Sequence, residues 1–384
     1  MRHLLLATIE DPHDPKSWSG TPYNMLKSLE RNFDQVSVLS SQVPKRSLLG
    51  TSLRLILGWK KYPLWMTNTA LKAYAKRLEK AVEEKQPDAV LCISSQHLVY
   101  ARDLGRPIFM ISDAPWMAYK KAYQDYEELP LLSNKYAEQE AAVARKISSV
   151  IYPTPWACKE AEVRFGIAKD KVKLLPFGAN SYCTDSDEQV LQRIRQRKLD
   201  QLNFLFIGKD WDRKGGPLAL AVIKMLNERG INATVHVIGC NPVVPTDIQK
   251  NVRVHGYLSP SQPEGRRQIE DAFTQADFLL VPSRAECFGL VFAEAQSYGL
   301  PCISLNSHGI PGVVEDKKTG LLFCPVAPSD QIAEAIIRLT KNRLAYLEMA
   351  IEARMKFAND LNWTTFGSEL HTLIAKSVNG SYEH

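Results

Sequence analysis

The chain reads as an α/β protein made of two doubly wound domains in tandem, and three observations carry that reading. Its 384 residues are too many for one hydrophobic core, so two domains of about 150 to 200 residues are expected. Short apolar, β-branched runs alternate with amphipathic stretches for most of the length, as in a parallel sheet flanked by helices. A polar stretch, Tyr182–Asp200, divides these runs into two sets and is the expected interdomain connection.

In the first set, strands are expected at His3–Thr8, Gln35–Leu39, Asp88–Ile93, Pro107–Ser112, Ser149–Tyr152 and Lys173–Pro176, where short apolar runs stop at polar or turn residues. The amphipathic stretches between them give helices near Pro22–Arg31, Thr67–Lys85, Ser133–Lys146 and Pro155–Phe165. In the second set, strands fall at Asn203–Ile207, Thr234–Ile238, Val252–His255, Phe278–Val281, Pro301–Ser304 and Gly320–Phe323. Its helices are Pro217–Glu228, Ser261–Gln275, Leu290–Tyr298 and Ser329–Leu339. Two such sheets in tandem leave a cleft between the carboxyl edges of both strand sets, where ligands are expected.

Composition removes several classes. The chain is 45% hydrophobic and 23% charged, as an ordinary soluble protein is. The start, MRHLLLATIEDPHD, has only a short apolar run before acidic residues arrive, and no run approaches the ~18 residues of a spanning helix. Neither secretion nor a transmembrane anchor is therefore expected. Seven scattered cysteines with no CxxC pair argue against a disulfide framework or zinc ribbon, and for a reducing compartment. Neither half carries GxGxxG after a strand or GxxxxGK[ST], so a nicotinamide dehydrogenase and a P-loop NTPase both lose their main support.

The net charge of +6 (48 minus 42) is concentrated. Pro44–Lys80 holds nine Lys and Arg residues against the single acid Glu79, interleaved with Leu48, Leu49, Trp59, Tyr62 and Trp65. That composition suits an anionic membrane surface or a polyanionic acceptor. The alternative is a helix packed on its own domain with Lys and Arg stems reaching out to water. Nucleic acid is not expected, because no zinc-finger, RNP or basic-zipper pattern accompanies the patch.

The most informative stretch is Ala276–Pro325. The strand Phe278–Val281 ends at Pro282 and Ser283, and a short loop carries Glu286 to Gly289 before an apolar helix begins. Glu286 and Glu294 are eight residues apart; on one helix they would be ~12 Å apart along the axis, but Gly289 allows a loop-to-helix break that turns both toward the cleft. The backbone N–H groups of Phe288, Gly289 and Leu290 would then open the helix as a phosphate site. A second cluster, FIGKDWDRKGG, puts Gly208, Lys209, Arg213, Lys214, Gly215 and Gly216 at a strand's carboxyl end just before a helix. Cations there suit a diphosphate whose charge grows as a leaving group departs.

Together, the Glu-seven-residues-Glu pattern at Glu286 and Glu294, FIGKDWDRKGG, VIGC at Val237–Cys240, VRVHGYLS at Val252–Ser259 and HGIPGVVEDKKTGLLF at His308–Phe323 resemble retaining glycosyltransferases of family 4. This is the bacterial glycosyltransferase group 1, with the GT-B fold of two Rossmann-like domains facing each other across a cleft. WSGTPYNML, SDAPW, IYPTPWACKEAEVRFGI and KLLPFGAN extend the resemblance more weakly over the first half. It implies an acceptor-side domain of residues 1–182 joined by the C-terminal helix 363–384, a linker 183–200 and a donor-binding domain 201–362.

The resemblance also implies roles. Glu294 would hold the ribose hydroxyls of a nucleotide sugar and Glu286 the hydroxyls of its sugar. Lys214, with Arg213 or Lys209, would neutralise the diphosphate, and Phe288, Gly289 and Leu290 would add backbone donors. Tyr257 falls where the family has its nucleobase pocket, and Gly20, in WSGTP, would approach the diphosphate from the other domain. Many relatives have Arg in place of Lys209, and Lys lacks the bidentate fork. Many also carry a His near the reaction centre. Here the matching region reads MISDAPW and offers Asp113, with His97 and His13 as competitors.

The expected reaction is retaining transfer of a sugar from a nucleotide-sugar donor to a hydroxyl of a glycan, glycolipid or lipid-linked intermediate. No cofactor or metal is expected, since Lys and Arg would stabilise the leaving diphosphate. The expected location is cytoplasmic, peripheral on the inner face of the cell membrane through residues 44–80. Two alternatives predict no transfer: a sugar-nucleotide epimerase, and a non-catalytic sugar-nucleotide-binding or membrane-scaffold protein.

Overall fold

A computed structural model describes residues 3–41, 63–125 and 132–380. By its contacts the chain divides into two units, Met1–Phe177 with Trp363–His384, and Gly178–Asn362.

The first unit begins β1 (His3–Thr8), α1 (Thr21–Asn32), β2 (Gln35–Ser40), α2 (Asn68–Lys85), β3 (Ala89–Ile93), β4 (Ile108–Ile111), α3 (Trp116–Tyr123), α4 (Ser133–Lys146), β5 (Ser149–Tyr152), α5 (Pro155–Phe165) and β6 (Val172–Leu174). Its six strands are all parallel, in the order β2-β1-β3-β4-β5-β6. Leu4, Leu5, Leu6 and Ala7 of β1 and Val90, Leu91 and Cys92 of β3 are fully enclosed, as strands covered on both faces must be. The order reverses between β1 and β3, and their carboxyl ends, Thr8 and Ile93, splay the following loops apart.

The second unit holds α6 (Asp187–Gln196), β7 (Leu202–Ile207), α7 (Gly216–Glu228), β8 (Ala233–Ile238), β9 (Val252–Gly256), α8 (Pro263–Gln275), β10 (Phe278–Leu280), α9 (Leu290–Ser297), β11 (Cys302–Leu305), β12 (Gly320–Phe323), α10 (Ser329–Lys341) and α11 (Arg343–Asn359). Its sheet is also parallel, ordered β12-β11-β10-β7-β8-β9. Here the order reverses between β7 and β10, which sets the loop after Ile207 beside the loop after Leu280. Phe204 and Phe278 stack across that pair, 5.4 Å between centroids, and the T-shaped Phe278–Tyr346 contact continues the core.

All twelve strands expected from the sequence are present, with ends within two residues. The linker expected at 183–200 is corrected. Residues 183–200 belong to the second unit, because α6 packs on α11 through Val190, Ile194 and Ala350. Two arginines hold the segment in place: Arg354 Nε donates to Asp187 Oδ1 at 2.7 Å, and buried Arg197 donates to the carbonyls of Gly299 (2.7 Å) and Tyr298 (2.9 Å). Helix α6 is polar enough to read as a loop, but Ser186 and Gln189 form a capping box and its apolar residues sit four apart. The boundary accordingly falls at Phe177 rather than at residue 182.

Most of the basic segment, 44–62, lies outside the described residues. In the described part, Trp65, Met66, Leu71 and Tyr74 pack inward with Tyr136, and Lys72, Lys76, Arg77 and Lys80 point to solvent. For helix α2 the apolar side chains are therefore core, with cationic stems outside. Among the described residues no helix is long and apolar enough to cross a membrane.

The last helix, α12 (Trp363–Gly380), belongs to the first unit and lies along α1. Ser28 Oγ donates to the Trp363 carbonyl, and Phe33 meets His371 edge to face at 4.9 Å. Gly367 permits the close approach, since a Cβ there would sit 2.2 Å from Ser28 Oγ and 2.4 Å from Asn32 Nδ2. Gly367→Ala should push the helices apart and cost about 1–3 kcal/mol. Urea unfolding of the variant beside the wild type measures it, with a midpoint shift at unchanged slope as the expected result.

Candidate functional site

The reversal between β7 and β10 assembles a charged cluster in the second unit. The turn after β7 carries Arg213 and Lys214, and the loop after β10 carries Ser283 and Glu286. Lys214 Nζ lies 2.5 Å and Arg213 Nη1 3.2 Å from the same Glu286 oxygen, Oε1, which also accepts from Ser283 Oγ at 2.8 Å. A second bond from Arg213 Nη1, to the Ala285 carbonyl at 2.7 Å, fixes the guanidinium. Glu286 is buried and the two cations are nearly so. Burial by itself would push the Glu286 carboxyl up, but Lys214 and Arg213, with the Lys214 and Ser283 hydrogen bonds, carry it below the ordinary glutamate range. It is an ionised carboxylate with two cations on one oxygen.

Two glycines bring the loops this close. Gly215 has φ 77°, and a Cβ there would lie 2.1 Å from the Pro282 carbonyl oxygen. At Gly309 a Cβ would come within 1.7 Å of the Cys287 carbonyl oxygen, and the Gly309 N–H donates to the Glu286 carbonyl at 2.9 Å.

Helix α9 starts where the sequence puts it. Gly289 is its N-cap at φ 85° with no side chain capping it, and Leu290 is its first residue; Phe288, just before, is buried. Glu294 stands on the second turn of α9, half-buried. Burial pushes its carboxyl up to about 7, and Lys214 only partly opposes this. The two glutamates are thus unlike, Glu286 held ionised and Glu294 poised near neutrality, with Lys214 acting on both.

The remaining expected residues are spread out. Lys209 sits over the ring of Tyr257, 5.5 Å from its centroid, on the far side of β7 at the end of β9, and Tyr257 is 60% exposed. Gly20 and Asp113 are in the first unit. Gly20, at φ 88°, caps α1 after two further left-handed residues, Trp18 (φ 41°) and Ser19 (φ 55°). Such backbone is costly for side-chain-bearing residues and concentrates at functional sites. Asp113 lines a cavity of about 370 Å³ at the carboxyl ends of β1, β3 and β4, with Glu10, Gln96, Trp116 and Glu140 also in its wall. His97 does not line it. It is fully buried against Tyr74, and burial and Arg77 push its imidazole down to about 4, which makes it a packing residue. His13 is exposed on the loop after β1.

Sequence reading missed Ser283, although SRAECFGL places it three residues before Glu286. The aromatic wall of the cavity was missed as well. Its signal was the spacing of Trp116 and Tyr119 on one helix face, where the two rings stack at 5.3 Å.

The two parallel six-stranded sheets define the GT-B class of fold, and residues 201–342, which contain the charged cluster, match the family described as glycosyl transferases group 1. Among individual proteins, the chain is similar to an uncharacterized 41.2 kDa protein in the cps region of Klebsiella pneumoniae, 31% identical over 194 residues. That alignment takes in 49% of this chain and 51% of the relative, so it spans about half the length of each. Among solved structures, a glycosyltransferase from Rickettsia africae superimposes with a TM-score of 0.64 at 13% identity, covering 98% of this chain and 99% of that one. Anabaena HepE in complex with UDP and glucose gives 0.61 at 15% identity, covering 98% and 100%. Likeness at this identity shows the fold.

Two predictions concern the glutamates. Glu286→Gln leaves Arg213 and Lys214 without their counter-charge and should lower stability at pH 7 by about 3 kcal/mol. Because the folded-state pKa of Glu286 is depressed, its contribution is present above the unfolded-state value and is lost as pH falls through the folded one; the deficit should shrink in acid. Denaturant titrations at pH 7 and pH 4 measure both. Glu294 carries the opposite sign. Its raised pKa makes ionisation destabilising, so the wild type loses stability as pH rises from the ordinary glutamate value to about 7; Glu294→Gln should match it only below that span and be the more stable protein above it. Thermal melts at pH 4 and pH 8 check this.

Proposed function

We propose that the protein is a retaining glycosyltransferase of family 4 that moves a sugar from a nucleotide-sugar donor to a hydroxyl acceptor. The observation that carries the reading is the convergence of Arg213 and Lys214 on Glu286 at the β7–β10 reversal, inside the segment that matches group 1 glycosyl transferases. Two fixed cations at strand ends suit the diphosphate leaving group of a sugar nucleotide, whose charge grows as the glycosidic bond breaks. In this reading Lys214 and Arg213 neutralise the diphosphate without a metal, and Glu286 orients hydroxyls of the donor sugar. Glu294 accepts from the ribose hydroxyls, with the N–H groups at the start of α9 as further donors. Lys209 and Tyr257 hold the base, and Gly20 and Asp113 act from the first unit. The acceptor hydroxyl attacks the face that the diphosphate leaves, and the departing phosphate oxygen takes its proton. The UDP and glucose bound in the Anabaena structure support a nucleotide-sugar donor.

The acceptor in this reading is a cell-surface glycan, glycolipid or lipid-linked intermediate met at the cytoplasmic face of the membrane. The Klebsiella relative's cps region and the cationic segment 44–80 support it.

The test is a thermal-shift panel of UDP, GDP, ADP, TDP and CMP sugars on the wild type, Lys214→Ala and Glu294→Ala. A donor at ~100 times its dissociation constant adds ~2.7 kcal/mol. One nucleotide class should raise the wild-type melting temperature and leave both variants unmoved, and the product formed from that donor should keep the donor's anomeric configuration by NMR. No shift with any sugar nucleotide refutes the donor site, and an inverted product refutes retention.

A further inference from the structure

The loop that follows β11 lies against the loop that carries Glu286, both within the second unit. Gly309 pins that contact, since its N–H bonds the Glu286 carbonyl at 2.9 Å and a Cβ there would meet the Cys287 carbonyl oxygen at 1.7 Å. The residue just before Gly309 is thereby held beside the charged cluster. It is His308, half-buried and at φ 48°. Left-handed backbone is open to glycine and costly for a residue with a Cβ, and such residues concentrate at functional sites. The Glu286 carboxylate does not call for the imidazole, because Lys214, Arg213 and Ser283 already hold it.

The neighbouring hydroxyl fixes which imidazole nitrogen carries the proton. Ser307 Oγ lies 2.7 Å from the Arg284 carbonyl oxygen and 2.6 Å from His308 Nδ1. A carbonyl brings no proton, so the single hydroxyl proton of Ser307 goes to Arg284, and Oγ accepts from Nδ1–H. In the neutral ring Nε2 is then an acceptor. The Arg284 N–H in turn donates to the Arg213 carbonyl at 2.9 Å, so imidazole, hydroxyl and the turn bearing the two cations form one connected chain. The fold, rather than solvent, sets the tautomer.

An acceptor placed near two cations divides the recognition of a mixed ligand. Phosphate oxygens carry only lone pairs and turn to Arg213 and Lys214, whereas Nε2 pairs with an O–H. We propose that His308 is a specificity-determining residue of the donor site, whose Nε2 accepts a hydrogen bond from one hydroxyl of the transferred sugar. That the ligand is a sugar nucleotide rests on the function proposed above; the tautomer and the placement of His308 rest on the second unit alone. A sugar whose hydroxyl at that position is inverted, or replaced by fluorine, leaves the acceptor without its partner and binds less well.

Calorimetric titration of the full chain tests this, with UDP, GDP, ADP and TDP beside UDP-glucose, UDP-galactose, UDP-N-acetylglucosamine, GDP-mannose, ADP-glucose and TDP-glucose. The proteins are the wild type, His308→Gly and His308→Phe, the last keeping a ring without nitrogen atoms. One conjugate should bind the wild type at least tenfold more tightly than its own diphosphate. Both variants should keep the affinity for that diphosphate within twofold and bind the conjugate at least fivefold more weakly. His308→Gly should melt at least as high as the wild type, because glycine takes φ 48° without strain; lost sugar binding with retained stability is not what a merely structural residue shows. Monodeoxyfluoro analogues of the bound sugar then name the hydroxyl, as the one position to which the wild type responds and both variants do not. A conjugate preference that survives in both variants, an equal loss for diphosphate and conjugate, or the lack of any preference in the wild type overturns the role of His308 and leaves the donor site standing. Binding of no diphosphate and no conjugate refutes the donor site itself, and the role of His308 with it.

Discussion

The second unit is organised around a carboxylate that burial alone would neutralise. Glu286 stays ionised because Lys214, Arg213 and Ser283 meet it on one oxygen, and removing a charge from water on those terms is tolerable only when its partners are already in place. Holding them in place is what the surrounding structure does. The β7–β10 pairing sets the two loops side by side, Gly215 lets one turn touch Pro282, and Gly309 lets a third loop bond the Glu286 carbonyl. The cluster thus constrains the fold as much as it provides a place for chemistry.

The same constraint explains the contrast between Glu286 and Glu294. Both are glutamates beside Lys214, yet one is held below its ordinary range and the other is pushed up to about 7. The difference lies in how many positive and donating groups reach each carboxyl. Lys214 is mostly engaged by Glu286 and offers Glu294 only a partial counterweight to burial. A ligand bringing negative charge to Arg213 and Lys214 would compete directly with Glu286 for them, so binding and internal neutralisation draw on the same two cations.

The two units use one topology for opposite chemistry. In each, the strand order reverses once, and the loops that diverge there carry the unusual side chains. In the second unit these are cations around a carboxylate. In the first, the carboxyl edge of the sheet carries aromatic rings and carboxyl groups, beside three consecutive left-handed residues at Trp18–Gly20. A parallel sheet covered by helices on both faces supplies the rigidity in both cases, and the loops at its carboxyl edge supply the difference.

The sequence by itself determined the twelve strands and most of the helices, because buried parallel strands need unbroken apolar runs and local pattern suffices to reveal them. It also singled out Glu286, Glu294, Arg213, Lys214 and Gly289, whose residue types and positions at strand ends are local facts. It misassigned α6, where a polar surface helix hides its two buried residues, and it offered His97 as a reactive group where the fold has made it core. Only the tertiary structure decided that Glu286 meets Arg213 across 73 residues of chain, and that Lys209 turns instead to Tyr257. It also decided that Trp65, Gln96, Trp116 and Glu140, from four separate segments, enclose one cavity. Those pairings depend on which strands lie side by side, and strand order is set by the packing of the whole sheet rather than by any stretch of sequence within it.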